Sequence, residues 1–259
     1  MKSVKILLFI ACYFASASSF AQSPKTIEAD LLRSFKKINY WDEKRSDAGG
    51  DDSLENANDA FGKKLKNYAE NHAFTINEPF TSLKKERLDI FTSIDGLFRI
   101  YSWDTGGGGT MREFANVIQY KTGDKTNAVL LTGTNDIYIP FYSNLYTFKT
   151  GNKTYYLGIY GAIYSSRYAG TGIKIFAIEN DKLNQNVKLI KTQSGINSKI
   201  FYDYDFGSIA YVPYGERPTI TFDATIKTIG IPLVTADGKV TSKFITYKFT
   251  GQYFEKVKS

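Results

Sequence analysis

The sequence has 259 residues, with 33 basic against 26 acidic side chains, a formal net charge of +7, one histidine and one cysteine. A single histidine and a single cysteine remove the parts of a two-histidine zinc site, a cysteine-ligated metal and most serine-hydrolase triads. The lysines are scattered, with no run longer than the pairs Lys36-Lys37, Lys63-Lys64 and Lys84-Lys85, so they read as solvated faces rather than a nucleic-acid surface.

Met1 to Lys5 carry Lys2 and Lys5 and no acid, an apolar run extends from Ile6 to about Ala17, and Ser19-Phe20-Ala21 has the small-x-small pattern of a processing site. This order predicts a cleavable secretory leader over residues 1–21, with Gln22 as the new N-terminus. Ala15-Ser16-Ala17 is a second possible cleavage point, and Cys12 is a weak candidate for lipid attachment because Phe9 stands where lipoprotein signals carry a Leu-like residue. The apolar run is shorter than the roughly 20 residues of a spanning helix, so no membrane span is expected. Cleavage after Ala21 removes the only cysteine and takes two charges from the formal +7, leaving +5. The remaining domain, expected in the periplasm or secreted, must then be held together by its core rather than by disulfides. Residue usage rich in Lys, Asn, Ile and Tyr, with Phe20-Ala21-Gln22-Ser23 at the processing point, resembles exported proteins of AT-rich Gram-negative bacteria.

Residues 22–72 are predicted to be a helical segment. Ser23 is placed to cap and Pro24 to occupy the first helical position, where its missing N–H is no loss. Ile27, Leu31, Phe35 and Ile38 then form one face. A polar loop containing Gly49-Gly50 follows. A second helix is expected from Asp52, with Glu55 completing a capping box and with Leu54, Ala57, Phe61, Leu65 and Tyr68 as its apolar stripe. Gly62 weakens that helix by about 1 kcal/mol. His72 ends it, where it reads as a C-terminal cation rather than a lone base.

From residue 73 to 259 an all-β domain is predicted. Aromatic residues make up 15% of the chain and suit a pleated, half-buried surface. Turn signals recur at Asp95-Gly96, Gly123-Asp124, Gly151-Asn152, Asn180-Asp181, Asp237-Gly238 and Thr250-Gly251, several of them 27 to 29 residues apart. Such dipeptides supply the positive φ of tight hairpins. With no helical period between the strands, the fold class is mainly β, with antiparallel meander sheets. These form a small propeller-like body or, alternatively, a two-sheet sandwich or irregular barrel, preceded by two N-terminal helices.

The most conspicuous local feature is Trp103-Asp104-Thr105-Gly106-Gly107-Gly108-Gly109-Thr110-Met111-Arg112. A phosphate-binding loop would end in Gly-Lys-Ser/Thr, and an aspartic-protease site needs a second Asp-Thr-Gly triplet; neither is present. The segment reads either as a connection between strands or as a ligand-binding loop. In the second case Trp103 is the platform, Asp104 and Arg112 the polar handles, and Gly106, Gly107, Gly108 and Gly109 the close backbone approach. Asp203 and Asp205 would share one face of a strand, a spacing that suits the carboxylate pair of a glycoside hydrolase. Asp47, Asp51 and Asp52 flank Gly49-Gly50 without the spacing of an EF-hand. No motif implies a cofactor. The expected role is therefore a non-enzymatic exported binding protein whose partner is an envelope glycan, polymer or protein. The alternatives are a carboxylate-dependent glycoside hydrolase and an envelope scaffold.

Overall fold

A computed structural model describes residues 22–133 and 138–257; the predicted leader, with Cys12 and the processing point at Ala21, lies outside them. The structure is 43% strand and 24% helix, which makes the class mainly β. Helix α1 is Pro24–Glu43 and α2 is Gly50–Asn71, followed by a 3-10 turn at Ala73–Ile76 and a short α3 at Thr81–Lys85. The strands are β1 (Asp89–Thr92), β2 (Phe98–Asp104), β3 (Phe114–Thr122), β4 (Lys125–Leu131), β5 (Phe141–Thr150), β6 (Lys153–Ile163), β7 (Tyr168–Glu179), β8 (Lys182–Asn184), β9 (Ile190–Thr192), β10 (Gly195–Asn197), β11 (Lys199–Asp205), β12 (Thr221–Asp223), β13 (Thr228–Val234), β14 (Val240–Phe249) and β15 (Phe254–Lys256).

Ser23 caps α1 through its hydroxyl, which accepts from the Thr26 amide, and Pro24 opens the helix as expected. The start of α2 differs from the expectation. Its N-cap is Gly49 in the left-handed region, with no side-chain capping bond, rather than Asp52. The reason is steric. A Cβ on Gly50 would overlap the Lys44 carbonyl oxygen and stand 2.7 Å from that of Arg45, so the chain turns into the helix where only glycine fits. The strand region also begins later than residue 73, because residues 73–85 are largely helical.

The strands form three sheets. The first is the meander β1-β2-β3-β4, the second has the order β11-β7-β6-β5 with β8 beside β7, and the third runs β10-β9-β15-β14-β13-β12. Pairing is antiparallel except between β15 and β9. All six turn dipeptides named above join hairpins, and at Asn180-Asp181 both residues take positive φ without glycine.

Alternation along the strands stacks these sheets into layers. Tyr101, Trp103, Ala115 and Val117 of the first sheet bury one face against Ile27, Leu31, Phe35, Phe61 and Leu65 of the helices. Its other face, with Phe98, Ile100, Ile118 and Tyr120, packs on Tyr142, Tyr156, Tyr160 and Phe176 of the second sheet. The far face of the second sheet, including Phe148, Leu157, Ile173 and Ile175, closes on Phe222, Ile229, Ile231 and Phe254 of the third. The helices cover the face of the first sheet on which a ring of blades would place its neighbour, and no sheet of the described residues closes into a barrel. No described helix is long and apolar enough to cross a membrane.

Candidate functional site

Gly106 to Gly109 bring Asp104 and Arg112 together but spend their polar groups internally. Asp104 accepts from the Gly106 amide at 2.9 Å and pairs with Arg112 at 3.2 Å. Burial raises the Asp104 carboxyl above its usual range, against the Gly106 amide and Arg112, which favour its charge. The Arg45 guanidinium donates to the Gly106 carbonyl, and Asn58 donates to the Thr105 carbonyl at 2.8 Å. These bonds tie the loop to the helices. A Cβ on Gly108 would overlap the Met111 carbonyl oxygen, so this glycine serves a tight turn. Trp103 offers no platform to a ligand. It is 2% exposed, meets Phe61 edge to face with ring centroids 5.1 Å apart, and donates its indole N–H to Asn58 at 3.0 Å.

Asp203 and Asp205 both lie on β11, yet they do not form an acid–base pair. Arg167 donates to Asp205 Oδ2 through two nitrogens, at 3.0 and 2.9 Å, and holds its carboxyl below the usual range. A general acid for glycoside hydrolysis needs the opposite shift. Asp203 instead lies near Tyr164, whose phenol it helps to raise. His72 ends α2 between the rings of Tyr68 and Phe74, each 5.7 Å away. Asp51 pairs with Arg45 at 3.0 Å and Asp47 with Lys44 at 3.9 Å. Among the described residues no three carboxylate, histidine or cysteine side chains gather as a metal site.

The arrangement with unused polar capacity lies elsewhere. The first and second sheets are joined at one side, where the Tyr142 amide donates to Ser102 Oγ at 3.1 Å and the Tyr156 hydroxyl to Asp95 Oδ2 at 3.1 Å. Beside that seam, between β3 and β4 on one side and β5, β6, β7 and β11 on the other, lies a cavity of about 420 Å³. That volume suits a small ligand.

Alternation places Asn116 on the face of β3 that also carries Ile118 and Tyr120, toward the second sheet. Asn116 is 0% exposed and lines the cavity. Its Nδ2 donates to the Pro140 carbonyl at 2.8 Å, while its Oδ1 is buried with no hydrogen-bond partner. Exchanging the two amide atoms does not relieve this, because it would set oxygen against the Pro140 carbonyl. An orphaned buried acceptor costs about 1–3 kcal/mol, so a site that retains one is suited to a donor from outside the protein.

The rest of the lining shares that character. Tyr142 and Tyr160 are 3% and 7% exposed, and neither hydroxyl bonds to another described residue. Burial, with each tyrosine's neighbour adding to it, raises both phenols well above their usual range, so they remain hydrogen-bond donors. Tyr164 is pushed up to about 12 by burial and then by Asp203. The β7 face toward the cavity reads Gly170, Gly172, Lys174, and β11 pairs Phe201 with Gly172 and Lys199 with Lys174. A Cβ on Gly172 would stand 2.8 Å from both Phe201 and Tyr160, so glycine here lets the two rings lie nearly parallel, 13° apart. At the rim Tyr138 accepts from the Ile163 amide at 3.3 Å and donates to the Arg112 carbonyl at 3.0 Å, which places the glycine loop beside the cavity but not in its wall.

Compared with known proteins, the chain matches no family model, no curated sequence and no solved structure.

None of the loop residues named from sequence lines this cavity. Asn116, Tyr142, Tyr160, Lys174 and Lys199 went unnamed because each is ordinary in its own strand. The usable signal was the alternation Gly170-x-Gly172-x-Lys174. Two adjacent same-face positions without side chains, followed by a lysine, describe a place where large neighbours lie close on the backbone, here Phe201 and Tyr160, with a charge beside them.

Proposed function

We propose that the chain is a non-enzymatic exported binding protein that takes a polar ligand, a glycan of the envelope or its surroundings, into the cavity between its first two sheets. The observation that carries this reading is the fully buried Asn116, which borders a ligand-sized space and whose side-chain oxygen has no partner. Phenol donors and aromatic faces around it match the alternating hydroxyls and apolar faces of a sugar ring. Export places such a protein where glycans are met, and the leader predicted over residues 1–21 is the support for that part.

The catalytic alternative has less behind it. Asp205 is committed to Arg167 and its shift is opposite to that of a general acid. Calorimetric titration against neutral and acidic oligosaccharides tests the reading, with Asn116→Leu as the control. Binding that disappears in Asn116→Leu is the expected result. A ligand that binds the variant as well as the parent, or the absence of binding across the whole panel, removes the cavity from the function.

A further inference from the structure

The cavity carries a charge feature that a neutral-sugar site does not require. Lys174 and Lys199 stand directly opposite each other on β7 and β11. Side chains so paired have Cβ atoms roughly 5 Å apart, and like charges directly opposite each other are destabilising. Among the described residues, neither ammonium has a carboxylate within ion-pair distance. Lys174 is half-buried, with its ammonium 5.1 Å from the centroid of the Phe176 ring. Burial, and then the Lys199 charge, lower its affinity for a proton. The described residues lining the cavity include no Asp or Glu. A cationic or amine-bearing ligand therefore meets two like charges, while the carboxylate on the same face of β11, Asp203, lies against Tyr164.

The other wall asks for something different. Asn116 Oδ1 requires a hydrogen-bond donor, which a fully ionised phosphate or sulfate lacks. The ligand must combine an anionic group with neutral donors set apart from it. A sugar with a ring carboxylate has both.

We propose that Lys174 and Lys199 form an anion subsite in this cavity and that its ligand is an acidic sugar of the uronate class. The carboxylate meets the lysine pair and a ring hydroxyl donates to Asn116 Oδ1. This deepens the binding reading above and rests on it.

The test uses protein recovered from expression of the full chain. Its probes are glucuronate-, galacturonate- and mannuronate-containing disaccharides, each compared with its methyl ester, which keeps the sugar and removes the charge. At least one acid is expected to bind ten-fold or more tightly than its ester, and to weaken as salt rises. The double substitution Lys174→Gln, Lys199→Gln is expected to abolish that preference, so that acid and ester bind the variant alike. Because it relieves a like-charge pair, it is also expected to leave Tm unchanged or raise it. Equal binding of acid and ester, or a preference that survives the double substitution, overturns the anion subsite. Binding of neutral glycans that depends on Asn116 would then leave the cavity reading standing. Failure of every acid while neutral glycans bind at Asn116 also overturns the subsite alone, and failure of acidic and neutral sugars alike overturns both.

Discussion

Strand β3 buries one side-chain amide on each face of the first sheet, and the two are treated differently. Gln119 faces the helices. Its Nε2 donates to the Ala69 carbonyl at 2.7 Å and to Thr75 Oγ1 at 2.8 Å, and its Oε1 accepts from the Tyr101 hydroxyl at 3.0 Å. Ala69 is near the C-terminus of α2, where carbonyls lack intrahelical partners, so Gln119 completes the helix end as well as its own bonding. Asn116 faces the second sheet and leaves its oxygen orphaned. Both side chains are 0% exposed, so burial does not separate them. What separates them is whether the protein itself supplies the partners. A saturated network specifies one packing, and a half-satisfied one beside a cavity leaves a place for something else.

The comparison is broken most severely on the helix side. Trp103→Ala removes a 2%-exposed ring packed on Phe61 and orphans Asn58 Oδ1. A loss of about 3–5 kcal/mol is expected for such a truncation, read by urea unfolding with a retained m-value. Ligand affinity measured below the transition should not change, since Trp103 is in the opposite face from the cavity. If affinity falls while the fold is intact, the two faces are not independent.

The pair Gln119→Leu and Asn116→Leu sharpens it. Leucine approximates the shape of both amides. Gln119→Leu strands the Ala69 carbonyl and takes away one partner each from Tyr101 and Thr75, so about 2–3 kcal/mol is expected to be lost. Asn116→Leu removes an unsatisfied acceptor together with one bond to Pro140, and the two effects offset to within about 1 kcal/mol. Parallel chemical denaturation of the two variants decides the matter. Equal losses would mean that Asn116 is as structural as Gln119.

Gly108→Ala bears on the segment that is most conspicuous in the sequence. Gly108 has φ +74° and its new Cβ would overlap the Met111 carbonyl. A cost of about 1–3 kcal/mol is expected, measured as a fall in Tm, with ligand affinity retained. Loss of affinity with little change in Tm would restore the glycine loop as a ligand contact.

Hairpin turns and helix stripes were legible because each depends on residues close in sequence. Asp95-Gly96 and Asn180-Asp181 announce positive φ at the position that needs it, and Ile27, Leu31, Phe35 and Ile38 announce one helix face. The start of α2 was not legible, because Asp52 and Glu55 form a good local capping pattern that the packing of Gly50 against the Lys44 and Arg45 carbonyls overrides. The four consecutive glycines drew attention as a ligand loop, and their geometry is that of a turn fastened to the helices. The cavity was hidden for a related reason. Asn116 on β3 and Lys174 on β7 meet only through the stacking of two sheets, and sheet order is not written in the local pattern of either strand.

The smallest expected effect concerns pH and separates the faces by their phenols. Tyr164 is pushed up to about 12 by burial and then Asp203, while burial raises Tyr142 and Tyr160 further, each from an ordinary value of 10.0. A phenol whose folded-state pKa exceeds its unfolded one stabilises the fold fully below pH 10. Above it the unfolded chain releases the proton first, so the stability declines as pH rises toward the folded value. Absorbance at the tyrosinate band should therefore show a group of tyrosines silent at pH 11, ionising together with unfolding, and denaturant midpoints should fall between pH 10 and 12. An acidic ligand in the cavity adds negative charge near these phenols and should delay their ionisation further. Tyr247 borders the second and third sheets, outside the cavity, and burial raises its phenol too, so Tyr247→Phe removes one raised phenol that no cavity ligand should influence. If ligand leaves the alkaline titration of the parent unchanged while still binding, the phenols of Tyr142 and Tyr160 are not in the occupied space.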